Sequence, residues 1–352
     1  LTRLDSTARE VLVQTLQGND TASIAASIGI TERSVRRAMD RIRSLISTSR
    51  VDFGTAPVST TPITLEQPKP VIVASSEFPI AGTMKHDQFL LSEFIGVGAF
   101  SKVYRAIDRS TGNLVAVKYL KKECWQEARA RNSLLREYEV LQRLNHPNII
   151  KMYGWGTTAR GAVFLVEEYV KGQNLFDWVK SSGPSIFEIV EVLCTVAKAI
   201  SAAHSGGVIH CDLTPANILR SGDGQITVCD FGMARYASSP DEIPGGGTAS
   251  FLSPEQISDA FGAITERSDV YGLGGLLFAL LTGIPPMQGR DLPEILSNVL
   301  SAKIPPLVSQ LGIDCSPELD TVIHRCLQKD PASRFVSADE VASALESVKS
   351  RE

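Results

Sequence analysis

The sequence has no apolar run long enough to cross a membrane as a helix. Its longest, residues 270–286, is too short and is broken by Gly272, Gly274, Gly275 and Gly283. No signal peptide opens the chain. It begins at Leu1 rather than Met, which reads as a sequence trimmed upstream. Cysteine is scarce, with 6 residues at 124, 194, 211, 229, 315 and 326. None forms a CxxC pair or stands at metal spacing from a histidine, so a zinc site or disulfide framework is excluded and a reducing, cytoplasmic location is expected. Basic residues are not in excess either. Lys+Arg number 35 against 39 Asp+Glu, a net charge of −4, which excludes a surface coated for bulk nucleic-acid or membrane binding.

What is present is an ordinary soluble composition, 43% hydrophobic and 21% charged over 352 residues. At roughly 150 residues per domain, that length points to two domains. Charge is unevenly spread. Residues 1–50 carry 8 Arg and 5 acids, a net of +3 that leaves −7 for the rest. Residues 51–88 mix Pro57, Pro62, Pro68, Pro70 and Pro79 with Ser and Thr and show no sustained period, so they read as a flexible linker. The chain therefore divides into a helical segment at 1–50, the linker at 51–88 and a long part at 89–352.

The long part opens with strand-like alternation at 89–95, 103–107 and 114–119. A helical pattern over 134–144 and a short strand at 163–166 follow. Beyond Ser185 the period is mostly helical, with Val190, Leu193, Ala197, Ile200 and His204 on one face. A small β-rich lobe (89–169) thus precedes a larger α-rich lobe (170–352), with a cleft expected between them. Gly96, Val97, Gly98 and Ser101 form a glycine-rich turn between strands. A Rossmann reading fails because a strand, not a helix, follows, and a Walker A reading fails for want of Gly-Lys-Ser/Thr. Such a turn can still lay backbone N–H groups over phosphates. Lys118 ends an apolar strand; Glu137 or Glu139 could pair with it. Asp212 and Asn217 flank a proline-containing loop, and Asp230 precedes Phe231-Gly232 after a strand at 226–229. Each element alone is more often structural. Together, in this order, they supply what Mg-nucleotide chemistry needs.

These residues resemble the eukaryotic-like (Hanks-type) protein kinases over about three-quarters of the chain. The resemblance rests on Gly96 to Val103, Val115-Ala116-Val117-Lys118, His210-Cys211-Asp212 through Asn217, Asp230-Phe231-Gly232, Ser253-Pro254-Glu255, Asp269 and Arg334. The stretches around Thr248 and Asp330 look like the bacterial Ser/Thr branch. The resemblance implies a two-lobed α+β kinase fold with ATP and Mg²⁺ as cofactors. Lys118, braced by Glu137, would hold the α/β-phosphates, and Asp212 would accept the substrate hydroxyl proton. Asn217 and Asp230 would hold Mg²⁺, and the loop from Gly96 to Ser101 would cover the triphosphate. Val103, Ala116 and Leu219 would sandwich the adenine, with backbone groups of Glu168 and Val170 reading its edge. Glu255 would clasp Arg334, and Asp269 would tie down the catalytic loop.

Four positions depart from the family pattern. Cys211 replaces an arginine that grips a phosphorylated activation loop, so weak dependence on such phosphorylation is expected, with Ser238, Ser239 and Thr248 as remaining phosphosites. Thr214 stands where a lysine usually meets the transferred phosphate, a loss worth roughly two to four orders of magnitude in rate. Glu167 occupies a usually apolar position behind the adenine, desolvated unless partnered. Cys229, before Asp230, reads as a small buried hydrophobe in preference to a reactive thiol.

Residues 6–17, 21–28 and 31–46 read as three helices, with Thr21 or Asp20 and Thr31 as N-caps. Ala25, Gly29 and Val35 take helix-turn-helix places, and the segment resembles LuxR-type or sigma-factor region-four domains. Arg33, Ser34, Arg36 and Arg37 would meet base edges, with Arg41 and Arg43 nearer phosphates. A helical docking module whose arginines are solvated is the competing reading. A net of +3 binds DNA weakly alone, so a homodimer is expected if DNA is the target. The whole therefore reads as a cytoplasmic Ser/Thr protein kinase acting on protein substrates, coupled through residues 1–50 to DNA or transcription machinery. A pseudokinase scaffold and an ATP-sensing DNA-binding regulator are the alternatives.

Overall fold

Apolar residues that alternate along the first strands bury one face of a curled sheet. In the computed structural model, residues 84–350 are described apart from 99, 126, 237–248 and 302, together with Thr31 and Ser34. The upper lobe contains β1 (Met84–Lys85), β2 (Phe89–Val97), β3 (Ser101–Asp108), β4 (Leu114–Leu120), helix α1 (Ala128–Leu141), β5 (Met152–Thr157) and β6 (Val163–Glu168). The six strands lie in the order β1-β5-β6-β4-β3-β2, antiparallel except for the parallel pair β1 and β5. Register shifts between Leu91 and Glu93, and again between Phe94 and Gly96, bend β2 and add twist. Phe89, Ala106, Val115, Val117, Phe164 and Val166 pack inside the curl.

Two boundaries differ from the sequence reading. Residues 84–88 lie within the stretch read as linker, yet Met84 and Lys85 pair with Gly156 and Thr157. Glycine makes the space, since a Cβ at Gly156 would stand 2.2 Å from the Met84 carbonyl oxygen. Helix α1 ends at Leu141 instead of running to 144. The Arg143 and Leu144 amides turn back to Val140 and Leu141, and Pro147 follows shortly after.

The lower lobe follows with β7 (Gly172–Asn174), α2 (Leu175–Ser182), α3 (Ile186–Ser205), β8 (Val208–Ile209), β9 (Ile218–Ser221), β10 (Ile226–Val228), β11 (Arg235–Tyr236), α4 (Pro254–Ile257), α5 (Glu266–Thr282), α6 (Leu292–Leu300), α7 (Pro317–Cys326) and α8 (Ala338–Lys349). Asn174 caps α2, whose end is fixed by Gly183 at φ 55°, and a Ser185–Glu188 capping box starts α3. Helix α3 packs against α8 and α5 and leaves one side, with Phe187, Glu191 and Lys198, exposed. Among the described residues, no helix is long and apolar enough to cross a membrane.

A buried ion pair pins the far end of this lobe. Arg334 Nη1 and Nη2 donate to Glu255 Oε1 and Oε2 at 2.7 and 2.9 Å, with both side chains fully enclosed. The remaining guanidinium hydrogens go to the carbonyls of Gln328, Arg267 and Lys329. Ser268 Oγ donates to Glu255 Oε1 at 2.7 Å.

Of residues 1–50, Thr31 and Ser34 are described. The Ser34 amide donates to Thr31 Oγ1 at 3.2 Å, the bond a helix N-cap makes. The readings made at Arg33, Arg36, Arg37 and Arg41 lie outside the described residues, as do those at Ser238, Ser239 and Thr248.

Candidate active site

Strand pairing places Val103 opposite Lys118, Arg105 opposite Ala116 and Ala116 opposite Glu167, so these side chains share one face of the sheet. Across from that face stands α1. Lys118 Nζ, 6% exposed, donates to both oxygens of Glu137 at 2.7 Å and to Asp230 Oδ1 at 3.0 Å. Glu137 is buried and Glu139 is exposed, so the geometry selects Glu137 as the helix partner. Burial works against the Lys118 ammonium, but Asp230, Glu137 and Glu167 outweigh it and hold it well above the ordinary lysine range. Lys118 therefore belongs to a buried ion pair, not to the surface.

Below the sheet, the loop from β8 to β9 carries His210 through Asn217. Its shape is fixed from beneath by Asp269 of α5, which accepts from the His210 and Cys211 amides at 2.7 and 2.8 Å. Asp269 Oδ2 also bonds His204 Nε2 at 2.8 Å. With this support Cys211 takes φ 66°, rare for a residue with a side chain. Asn217 Nδ2 donates to the Asp212 carbonyl at 2.8 Å and to Asp212 Oδ2 at 3.0 Å. Burial, reinforced by the charge of Asp230, pushes the Asp212 carboxyl up to about 7. Asp230 is half-buried, and the Lys118 ammonium beside it outweighs desolvation and holds its carboxyl below the ordinary range.

The other positions read from sequence lie on the strands and turns that adjoin these residues in the chain or the sheet. The Gly98 amide donates to the Ser101 carbonyl at 2.9 Å and closes the glycine turn, with Ser101 buried. A Cβ on Gly96 would meet no atom within 4 Å, so the space beside it is open. Val97 is 62% exposed. Ala116 is buried, Val103 and Leu219 half-buried, with Leu219 in the β9–β10 hairpin below. The Glu168 amide is committed to the Lys151 carbonyl at 2.9 Å, and Val170 follows, half-buried, where the chain passes between lobes. Thr214 is buried and brings no positive charge. Cys229 Sγ donates to the Asn217 carbonyl at 3.1 Å, and burial pushes its thiol well up, which suits a packing role.

Two residues here escaped the sequence reading. His204 was seen as one more member of an apolar face, yet its ring bonds Asp269. A histidine buried among apolar neighbours needs a polar partner, and that was the available signal. Ser133 bonds the Gly232 carbonyl at 2.6 Å, and its only signal was a place one turn before Glu137.

The cluster has the donor chemistry of a magnesium site. A single buried lysine faces the carboxylates of Glu137, Glu167 and Asp230, with Asp212 also close enough to feel Lys118. Both bonds of Asn217 go to acceptors, so its NH₂ points at Asp212 and its carbonyl oxygen is left to accept. Excess carboxylate plus hard oxygen donors fits Mg²⁺ held by Asn217 and Asp230.

Glu167 remains without an adequate partner, since its Oε2 is buried and unbonded. Burial pushes its carboxyl up to about 7, against the pull of Lys118. A folded-state value above the unfolded one means that this group weakens folding as pH rises from the ordinary carboxylate range through about 7. Glu167→Leu is therefore expected to stabilise the protein by about 1–3 kcal/mol at pH 8. Melting curves at pH 8 and pH 5 check this, and the gain should shrink at the lower pH.

Residues 89–345 match the family model described as protein kinase domain. The chain is similar to the serine/threonine-protein kinase PknB of Mycobacterium tuberculosis, 36% identical over 270 residues, and to that of Mycobacterium leprae, 35% over 269. It is also similar to the serine/threonine-protein kinase pkn3 of Myxococcus xanthus, 32% identical over 278 residues. Each similarity covers 74% of this chain, but 42% of either PknB and 50% of pkn3. The chain thus spans half or less of the length of these curated relatives. With the family model matched across most of its length by residues that meet in one cleft, the chain belongs to the protein kinase family.

Proposed function

We propose that this chain is a Ser/Thr protein kinase that transfers the γ-phosphoryl group of ATP, with Mg²⁺, to a Ser or Thr hydroxyl of a protein. The observation that carries the proposal is Lys118 held between Glu137 and Asp230 across the lobe boundary, with Asp212 in the same cleft. ATP with Mg²⁺ supplies the transferable phosphoryl group and neutralises its charge. The residues supply position and electrostatics, which dominate this chemistry. Lys118 serves the phosphates as a fixed cation, and Glu137 keeps it from swinging away. Asp212 Oδ2 is held by Asn217, which leaves Oδ1 to receive the acceptor's hydroxyl proton. Backbone donors at Gly96–Ser101 cover the phosphates. Val103, Ala116 and Leu219 enclose the base, with Glu168 and Val170 along its edge.

Incubating the full chain with γ-labelled ATP and Mg²⁺, alone and with a generic Ser/Thr substrate, tests the proposal. Label on protein Ser or Thr supports it. Nucleotide binding without transfer would favour the pseudokinase reading, for which the buried, uncharged Thr214 is the specific ground.

Phosphorylation of the activation segment is expected to matter little. Cys211 lies in an apolar cluster with Ile209 and Met233, against which Ile264 packs. A thiol there cannot make the charge-assisted grip on phosphate that an arginine makes. Phosphatase treatment is expected to lower activity by less than about tenfold. A larger loss, measured beside an untreated control, would contradict this.

Residues 1–50 extend the proposal. Their net +3 and arginine-rich third segment support a helix-turn-helix that brings the kinase to DNA or transcription machinery, as a homodimer, in the cytoplasm. Gel shifts of the full chain against an Arg36→Ala, Arg37→Ala variant test DNA binding. The Ser/Thr cluster of the linker is a candidate for autophosphorylation, which phosphopeptide mapping checks.

A further inference from the structure

We infer that Ser133 is a positioning residue that fixes Asp230 from helix α1. The inference rests on the reading of Asp230 as a metal-holding carboxylate. Ser133 Oγ donates to the carbonyl of Gly232 at 2.6 Å, joining segments 99 residues apart in sequence. Ser133 precedes Glu137 by four residues, so the two stand on one face of the helix, a turn apart. That face therefore grips the cleft twice. Glu137 holds Lys118, and Ser133 holds the turn that begins at Asp230.

The turn needs such a grip. Asp230 sits at φ 61° and ψ 68°, a left-handed conformation that residues with side chains seldom adopt. Phe231 is buried beneath the His210 ring, with centroids 4.5 Å apart, and the Ala234 amide closes the turn on the Phe231 carbonyl. Those contacts hold the far side of the turn. The carbonyl two residues after Asp230 has Ser133 as its partner. A Cβ on Gly232 would stand 3.2 Å from Asp230 Oδ1, 3.5 Å from Ser133 Oγ and 3.6 Å from Glu137 Oε2. Helix, turn and carboxylates thus converge on one glycine with no room to spare. A shift of α1 that released Lys118 would also release the turn, so the two halves of the site are set together. Beside the bridge from Glu137 through Lys118 to Asp230, this bond is a second, direct brace between the helix and the Asp230 turn.

Ser133→Ala and Ser133→Thr in the full chain test this. Ser133 is half-exposed on a helix, and alanine favours helix, so folding is retained, with melting curves as the control. Alanine is expected to raise the Mg²⁺ concentration for half-maximal binding of a fluorescent ATP analogue about tenfold, and threonine, which keeps the hydroxyl, to restore it. Affinity for the analogue without Mg²⁺ should not change. An unmoved Mg²⁺ midpoint, or an equal loss of metal-free affinity, would overturn the inference. Hydrogen exchange across residues 229–234 reads the same bond without ligand. Exchange should quicken in Ser133→Ala and return to the wild-type rate in Ser133→Thr, and equal rates in all three proteins would sink the idea. A wild-type protein that transfers no phosphate would defeat the kinase reading and leave the exchange result to stand by itself.

Discussion

Asp212→Ala is expected to lower kcat by roughly 10²–10⁴-fold while nucleotide binding survives. The carboxylate is held by the Asn217 amide at 3.0 Å and belongs to the loop whose backbone Asp269 fixes, so its removal leaves the rest of the cleft standing. Lys118, Glu137 and Asp230 form their ion pairs without it. Steady-state transfer of labelled phosphate gives kcat, and an ATP analogue binding with unchanged affinity shows that the fold is intact. An accompanying pH profile sharpens the test. Burial pushes Asp212 up to about 7, and only its ionised form can take a proton. For the free enzyme, kcat/KM should therefore rise with pH through about 7 and level off above it. Bound Mg²⁺ adds positive charge nearby, so the corresponding limb in kcat should lie at lower pH. A variant that keeps more than about a tenth of wild-type kcat would remove Asp212 from the reaction.

The second large effect is on stability. Arg334→Ala is expected to destabilise the protein by about 3–5 kcal/mol, because Glu255 would be left enclosed and without its counter-charge. Three backbone carbonyls would lose their donors in the same step. With roughly 2–4 °C per kcal/mol for a domain of this size, the melting midpoint should fall by about ten degrees. The double variant Arg334→Met, Glu255→Leu separates the cost of an orphaned charge from the worth of the pair. It should be more stable than either single alanine variant, since no buried charge is left uncompensated. Urea unfolding of the four proteins gives the comparison. Equal losses in the single and double variants would show that packing, not charge, is what matters at this clasp.

Local pattern and residue spacing made much of the kinase part legible. Alternation placed β2, β3 and β4, a short strand read at 163–166 is β6, and the order of Lys118, Asp212, Asn217 and Asp230 marked the cleft. Choosing Glu137 over Glu139 needed the resemblance, because two acids two residues apart on a helix differ only in which way the helix faces. Tertiary burial settled that choice. Glycine hid other elements. Strand β5 reads Met-Tyr-Gly-Trp-Gly-Thr, and its glycines break the alternation that signals a strand while making room for Met84. Strands β7 and β9 are too short to show a period, whereas β10 was read as the strand at 226–229. The roles of His204 and Ser133 depend on partners 65 and 99 residues away, which no local pattern encodes. Glu167 was visible as an anomaly, and the structure leaves it one: a carboxylate behind the cleft with an unmet oxygen.

The short parallel pairing of Met84 and Lys85 with β5 has a mechanical consequence. It lies at one edge of the sheet and β2 at the other, and residues 86–88 alone join the two, so the sheet curls until its edges come within reach of that short link. Two residues at an edge open far more easily than a central strand. A pull from the upstream chain would meet this seam first and peel it away from Gly156 and Thr157 before load passed through residues 86–88 to β2. The pairing would thus act as a fuse, yielding at the rim before β2 and the glycine turn at its end take up load.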